Sequence, residues 1–144
     1  MAIVCFDSSA FVKLLVDEEG SEIAARLWDQ ADLVAASRLA VPEVSCALAA
    51  AGRAGRLDPA GERQARRDWE EFWSATRAIK LTDGIATSAA SLAGAHILGG
   101  ADAVHLASAL TMAQAGPILV AWDLRLRTAA LAAGLLVAPS RLEP

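Results

Sequence analysis

Residues 2–13 read AIVCFDSSAFVK: an unbroken apolar run, then an aspartate, two serines and apolar residues at helical spacing. A short apolar run containing Ile and Val, with no polar alternation, is the pattern of a strand buried on both faces. The pattern recurs at LVAAS (33–37), AIKL (78–81), ILVAW (118–122) and LLV (135–137). Stretches of helical period separate these runs. Short continuous strands alternating with helices predict an α/β protein of three layers, with a central, mostly parallel sheet covered by helices on both faces.

The intervening segments carry their own start and stop signals. Ser8 or Ser9 is placed to cap a helix to about Asp17, and Gly20 ends that segment. Ser21 opens a helix with Ile23, Leu27, Trp28 and Ala31 on one face. The next runs from about residue 40 to Ala54, with Val44, Leu48 and Ala51 inward and Pro42 in its first turn. Asp58-Pro59 is a cap followed by proline at the first helical position. Along that helix Ala65, Trp69, Phe72 and Trp73 form an amphipathic stripe, read as core or dimer packing in preference to a base-stacking platform. Thr82 or Asp83 caps a helix to about Ala95. Gly99-Gly100 reads as a turn before a helix from near Asp102 to about Ala115. Gly116-Pro117 breaks it, and a last helix runs from Asp123 to Ala133, with Gly134 as its C-cap.

The chain has 144 residues, 55% hydrophobic and 21% charged, which suits one folded domain over 1–144 and excludes disorder. No apolar run approaches the ~18 residues of a membrane span. The short N-terminal stretch before Asp7 lacks a basic leader, so a cytoplasmic location is expected. Cys5 and Cys46 read as small buried hydrophobes. A net charge of −4 argues against binding nucleic acid by bulk positive charge. The run Arg53, Arg56, Arg63, Arg66 and Arg67 is read as a solvated helix face before a phosphate-binding patch.

The acids are more telling. Asp7 and Asp123 each follow a strand directly and precede a helix, Asp102 opens a helix, and Glu43 stands near the start of the helix after the second strand. In an open parallel sheet all of these positions lie beyond the carboxyl ends of the strands, where ligands bind. Singly, each is explained as a cap, a first-turn acid or a solvated side chain. Together they pose an electrostatic problem, because two carboxylates about 4 Å apart repel by about 4 kcal/mol at an effective dielectric of about 20. Such a cluster binds protons or recruits cations. Oxygen ligands without a convincing His/Cys set favour Mg²⁺ or Mn²⁺ over zinc. An ion of this kind lowers the pKa of a bound water and neutralises a phosphate oxygen, which suits phosphodiester hydrolysis. Ser8 and Ser9 show no base nearby in sequence, and the phosphate-binding signature G-x-x-x-x-G-K-[ST] is absent. His105 reads as a hydrogen-bonded structural residue before a catalytic base, and His96 is weaker still.

Four segments, VCFDSSAFVKLL, PEVSCAL, ADAVHLASAL and LVAWDLRLRTAALAAGLLV, together resemble a known family over essentially the whole chain. The sequence looks like a PIN-domain protein of the VapC toxin type, the metal-dependent ribonucleases of bacterial toxin–antitoxin pairs. The resemblance implies that Asp7, Glu43, Asp102 and Asp123 take the acidic metal-site positions. It places Ser9 at a hydroxyl position that orients those ligands. It further implies a five-stranded parallel sheet, a homodimer, an RNA substrate, and a VapB-type antitoxin whose tail blocks the acidic groove. One departure is Ala121, where family members commonly carry Thr or Ser.

The expected activity is therefore a Mg²⁺-dependent endoribonuclease, with Mn²⁺ as the substitute ion. The competing expectation is a PIN-like module that binds RNA or protein with little or no catalysis, for which Ala121 is the one hint. An aspartyl phosphoacceptor also places acids at this rim, but it wants paired acids after the first strand and a lysine after the last. Here DSS follows the first strand, and the only lysines are Lys13 and Lys80.

Overall fold

The computed structural model describes residues 1–142. Its centre is β1 (Ile3–Phe6), flanked by β2 (Leu33–Ser37) and β4 (Ile118–Val120), with β3 (Arg77–Ile79) and β5 (Leu136–Ala138) at the edges. The order is β3-β2-β1-β4-β5, and every neighbouring pair is parallel. Cys5 is in register with Ala35 on one side and Leu119 on the other. All four residues of β1 are buried, as its unbroken apolar run requires.

Among the described residues seven helices cover the sheet: α1 (Ser8–Leu15), α2 (Ser21–Gln30), α3 (Ala40–Arg53), α4 (Pro59–Ser74), α5 (Asp83–Ala95), α6 (Gly100–Leu110) and α7 (Leu124–Ala132). Strand alternation gives the two faces different side chains. Val4, Phe6, Val34 and Ala36 face α1, α3 and α4, where Phe11, Val44, Leu48 and Trp69 complete the core. The aromatic stripe of α4 belongs to this core: Trp69 meets Phe11 at 4.9 Å between ring centroids, and Phe72 meets Trp28 of α2 at 4.9 Å. Cys5, Ala35, Leu119 and Ala121 point to the other face, against Leu106 and Ala109 of α6 and Leu126, Ala129 and Ala130 of α7. α5 lies on α6, with Ile85 and Ala89 against Ala103 and Ala107.

Several boundaries depart from the sequence expectation. Asp7, not a serine, caps α1: its backbone is extended and its side chain accepts the Ala10 N–H. α6 begins at Gly100, so Asp102 lies within its first turn, and it ends at Leu110, well before Ala115. There the Thr111 N–H and hydroxyl both turn back to the Ser108 carbonyl, and a short 3₁₀ turn (Ala113–Ala115) leads to β4. β3 starts one residue earlier than AIKL, and β5 one later than LLV. Cys46 is exposed, correcting the expectation of burial, whereas Cys5 is buried and its thiol is pushed up to about 12 by desolvation. The inward residues of α3 are Ala40, Val44, Leu48 and Ala51, and a position two after Val44 lies on the opposite side of the helix. The arginine run is largely solvated, with Arg66 paired to Glu62 one turn away at 2.9 Å and Arg56 reaching Glu18 at 3.4 Å. Among the described residues no helix is long and apolar enough to cross a membrane.

Candidate active site

β1 and β4 are neighbours, yet the chain leaves them for opposite helical layers, α1 on one face and α7 on the other. This divergence is the switch point of an open α/β sheet and leaves a crevice at the carboxyl ends of the strands. Asp7 and Asp123 stand on either side of it. Asp7 caps α1, with Oδ1 accepting the Ala10 N–H at 2.9 Å and the Ser9 hydroxyl at 2.8 Å. Asp123 caps α7, its Oδ1 accepting the Leu126 N–H at 3.0 Å. Capping and site roles are therefore not alternatives. Each carboxylate spends one oxygen on its helix and keeps the other.

Glu43 comes from the first turn of α3 and Asp102 from the first turn of α6. Between them lies His105, buried, one helical turn after Asp102. Glu43 Oε1 accepts the Ser8 hydroxyl at 2.7 Å and stands 2.6 Å from His105 Nε2. Ser8 Oγ is itself 3.1 Å from the same nitrogen. A carboxylate oxygen already taking the serine proton can only accept again, so Nε2 carries a proton and donates it. This arrangement is no nucleophilic triad. Serine and acid address one ring nitrogen, and among the described residues Nδ1 has no partner.

The acids sense one another. Burial raises the Asp7 carboxyl to about 6 against the pull of the Ala10 N–H, the Ser9 hydroxyl and His105, and Asp102 adds to the rise. Asp102 is raised by its own desolvation and then by Asp123, with a smaller push from Glu43. Glu43 is lowered, first by the hydrogen bond from His105 and also by that from Ser8. Asp102 is thus coupled to each of the other three carboxylates. Among the described residues no lysine or arginine forms an ion pair with any of the four acids; the only basic partner is His105, on Glu43.

Donor chemistry at this rim suits a hard divalent ion, being carboxylate and hydroxyl oxygen with uncompensated negative charge. Among the described residues, however, no three of these side chains already stand close enough to cage one ion. The structure brings all four predicted acids into one electrostatic neighbourhood without closing a shell. Ala121 is fully buried, and its carbonyl accepts Arg127 Nη1 at 2.8 Å, so the absent hydroxyl leaves that backbone group satisfied. The roles of Ser8 and His105 beside Glu43 were not legible in sequence. The one available signal was the spacing of Asp102 and His105, which places both on one face of a helix.

Residues 4–130 match the family described as PIN domain. A curated relative, ribonuclease VapC45 of Mycobacterium tuberculosis, is 54% identical over 144 residues, covering 100% of both chains. Among solved structures, Mycobacterium tuberculosis VapC20, described as a sarcin–ricin-loop-cleaving toxin, superposes with a TM-score of 0.65 at 20% identity, covering 94% of this chain and 97% of that one. VapBC2 from Rickettsia felis, bound to a DNA fragment from its promoter, gives a TM-score of 0.64 at 13% identity, covering 94% and 96%.

Proposed function

This chain belongs to the PIN-domain family, and from that premise we propose that it is a metal-dependent endoribonuclease toxin. It works as a single PIN-like domain over residues 1–144, in the cytoplasm, as a homodimer, and is held inactive by a VapB-type antitoxin. The observation that carries this reading is the placement of Asp7 and Asp123 at the carboxyl ends of β1 and β4 and of Glu43 and Asp102 in the first turns of α3 and α6, with no lysine or arginine paired to them among the described residues.

In this reading Asp7 and Asp102 are the main ligands of Mg²⁺, or of Mn²⁺ in its place, and Glu43 and Asp123 complete the set directly or through water. The ion, when bound, supplies charge neutralisation for a phosphate oxygen and acidifies a water molecule. The protein's part is to hold the carboxylates aimed, Asp7 and Asp123 each through a hydrogen bond on one oxygen. Ser9 steadies Asp7 through Oδ1 and leaves Oδ2 to the ion. Arg38, directly after β2, and Arg125, in the first turn of α7, are exposed beside the strand ends and suited to the RNA backbone. A basic antitoxin tail complements both the acidic crevice and a net charge of −4.

The test is incubation of the purified protein with total cellular RNA in Mg²⁺, in Mn²⁺ and in EDTA, with mapping of the cut ends. Cleavage is expected with either ion, and none in EDTA. Asp7→Asn, folded by circular dichroism, is expected to lose cleavage; undiminished cutting by it would refute the assignment. The competing reading, a non-catalytic binding module, draws on Ala121. Calorimetric titration with Mn²⁺ separates the two, because only the module tolerates a complete absence of divalent binding.

A further inference from the structure

Glu43 and His105 are 62 residues apart, yet their side chains meet across the crevice from opposite layers of the molecule. Glu43 is on α3, in the layer that also carries α1, and His105 is on α6, beneath the other face of the sheet. Glutamate has three rotatable side-chain bonds, and this one is part-exposed at the rim, its side chain retaining 33% of its accessible surface. Left alone it would sample many positions. Both available donors bind the same atom, Oε1, while Oε2 accepts no hydrogen bond among the described residues.

Resting on the metal-site reading above, we infer that His105 and Ser8 are positioning residues that clamp Glu43 by Oε1 so that Oε2 is the oxygen offered to the divalent ion. His105 lies one turn from Asp102 on the same helix, so the clamp also fixes Glu43 relative to Asp102. The His105 Nε2–H donates to the carboxylate it positions. A residue retained for stability would be expected to satisfy both of its nitrogens. His105 instead buries Nδ1 without a partner among the described residues, a local cost that the clamp explains. Donors that orient a metal-binding side chain typically change affinity by about 10- to 100-fold when removed.

The experiment is calorimetric titration of the full chain with Mn²⁺, together with thermal melts of the metal-free proteins. His105→Leu removes the donor, and His105→Gln restores an N–H near the Nε2 position. Ser8→Ala removes the second donor without altering the core. Expected are a loss of about 10- to 100-fold in Mn²⁺ affinity for His105→Leu, a smaller loss for Ser8→Ala, and recovery in His105→Gln. Melting temperatures at or above that of the wild type are expected for His105→Leu. In a Glu43→Ala background His105→Leu should weaken binding no further, because the clamp has lost its object. Full additivity there, or undiminished affinity in a folded Ser8→Ala and His105→Leu, overturns the clamp while leaving the nuclease reading intact. A wild-type protein that binds no Mn²⁺ and cuts no RNA overturns both. Should His105→Leu not fold, Ser8→Ala with and without Glu43→Ala decides the question alone.

Discussion

Asp7 does three jobs within one residue, and they conflict. It ends a buried strand, caps a helix through Oδ1, and presents a carboxylate to a crevice that already holds Asp102. The first two jobs are served equally by a neutral side chain with the same oxygen, and only the third needs the charge. Burial pushes its pKa up to about 6, well above the ordinary aspartate range. An acid whose folded pKa is raised contributes stability while protonated in the fold, and that contribution is lost as pH climbs through the folded value. Ionised Asp7 therefore costs the metal-free protein about 3 kcal/mol above pH 6. Asp7→Asn keeps an acceptor for Ala10 and Ser9 and is expected to raise metal-free stability by a few kcal/mol near pH 7.5. The gain should vanish near pH 4. Urea melts at the two pH values measure it, and a variant no more stable at pH 7.5 would sink the account. Asp7 was legible in sequence because a strand ended on it. His105 was not, because its partner lies 62 residues away and only the tertiary fold joins them.

At the scale of elements, the two faces of the sheet are built differently and should fail differently. The face under α1, α3 and α4 is filled by Phe6, Phe11, Leu48 and Trp69, large side chains in edge-on aromatic contact. The face under α6 and α7 alternates the leucines Leu106, Leu119 and Leu126 with small residues, Cys5, Ala35, Ala109, Ala121 and Ala129, all buried. Trp69→Ala is expected to cost about 3–5 kcal/mol by opening a cavity. Ala109→Leu adds volume to the other face and is expected to cost about 1–3 kcal/mol by overpacking. Denaturant midpoints read both. A neutral Ala109→Leu would show that buried Ala109 has room beside it. Element types were legible because continuous apolar runs and helical stripes are strong local signals. The end of α6 was not, since the sequence TMAQA has no breaker before Gly116. What stops the helix is the Thr111 return to Ser108 and the need to reach β4 in register with β1. Cys46 was misplaced because type alone suggested burial, whereas its angular position on α3 put it outside.

For the molecule as a whole, the order β3-β2-β1-β4-β5 turns four acids from distant segments into one electrostatic problem. The sequence already showed which strands end beside acids, but not that the central strand pair separates them by a crevice. Folding draws Asp7 and Asp102 out of water and toward one another, and no lysine or arginine among the described residues offsets this. The native state is thus less stable without a counter-ion than its core alone would make it, and a divalent ion that binds only the folded chain stabilises every part of it. At a free concentration about 100 times its dissociation constant, such an ion adds about 2.7 kcal/mol. For a chain of this size that corresponds to a rise in melting temperature of roughly 5–10 °C. Mn²⁺ is expected to produce this rise in the wild type, EDTA to reverse it, and Asp102→Asn to shrink it by removing one ligand. The same variant should start from a higher metal-free melting temperature, because it also removes the repulsion. Opposite signs for one substitution, up without the ion and down with it, distinguish a metal site from a merely acidic surface, whose stability would respond to monovalent salt as readily as to Mn²⁺.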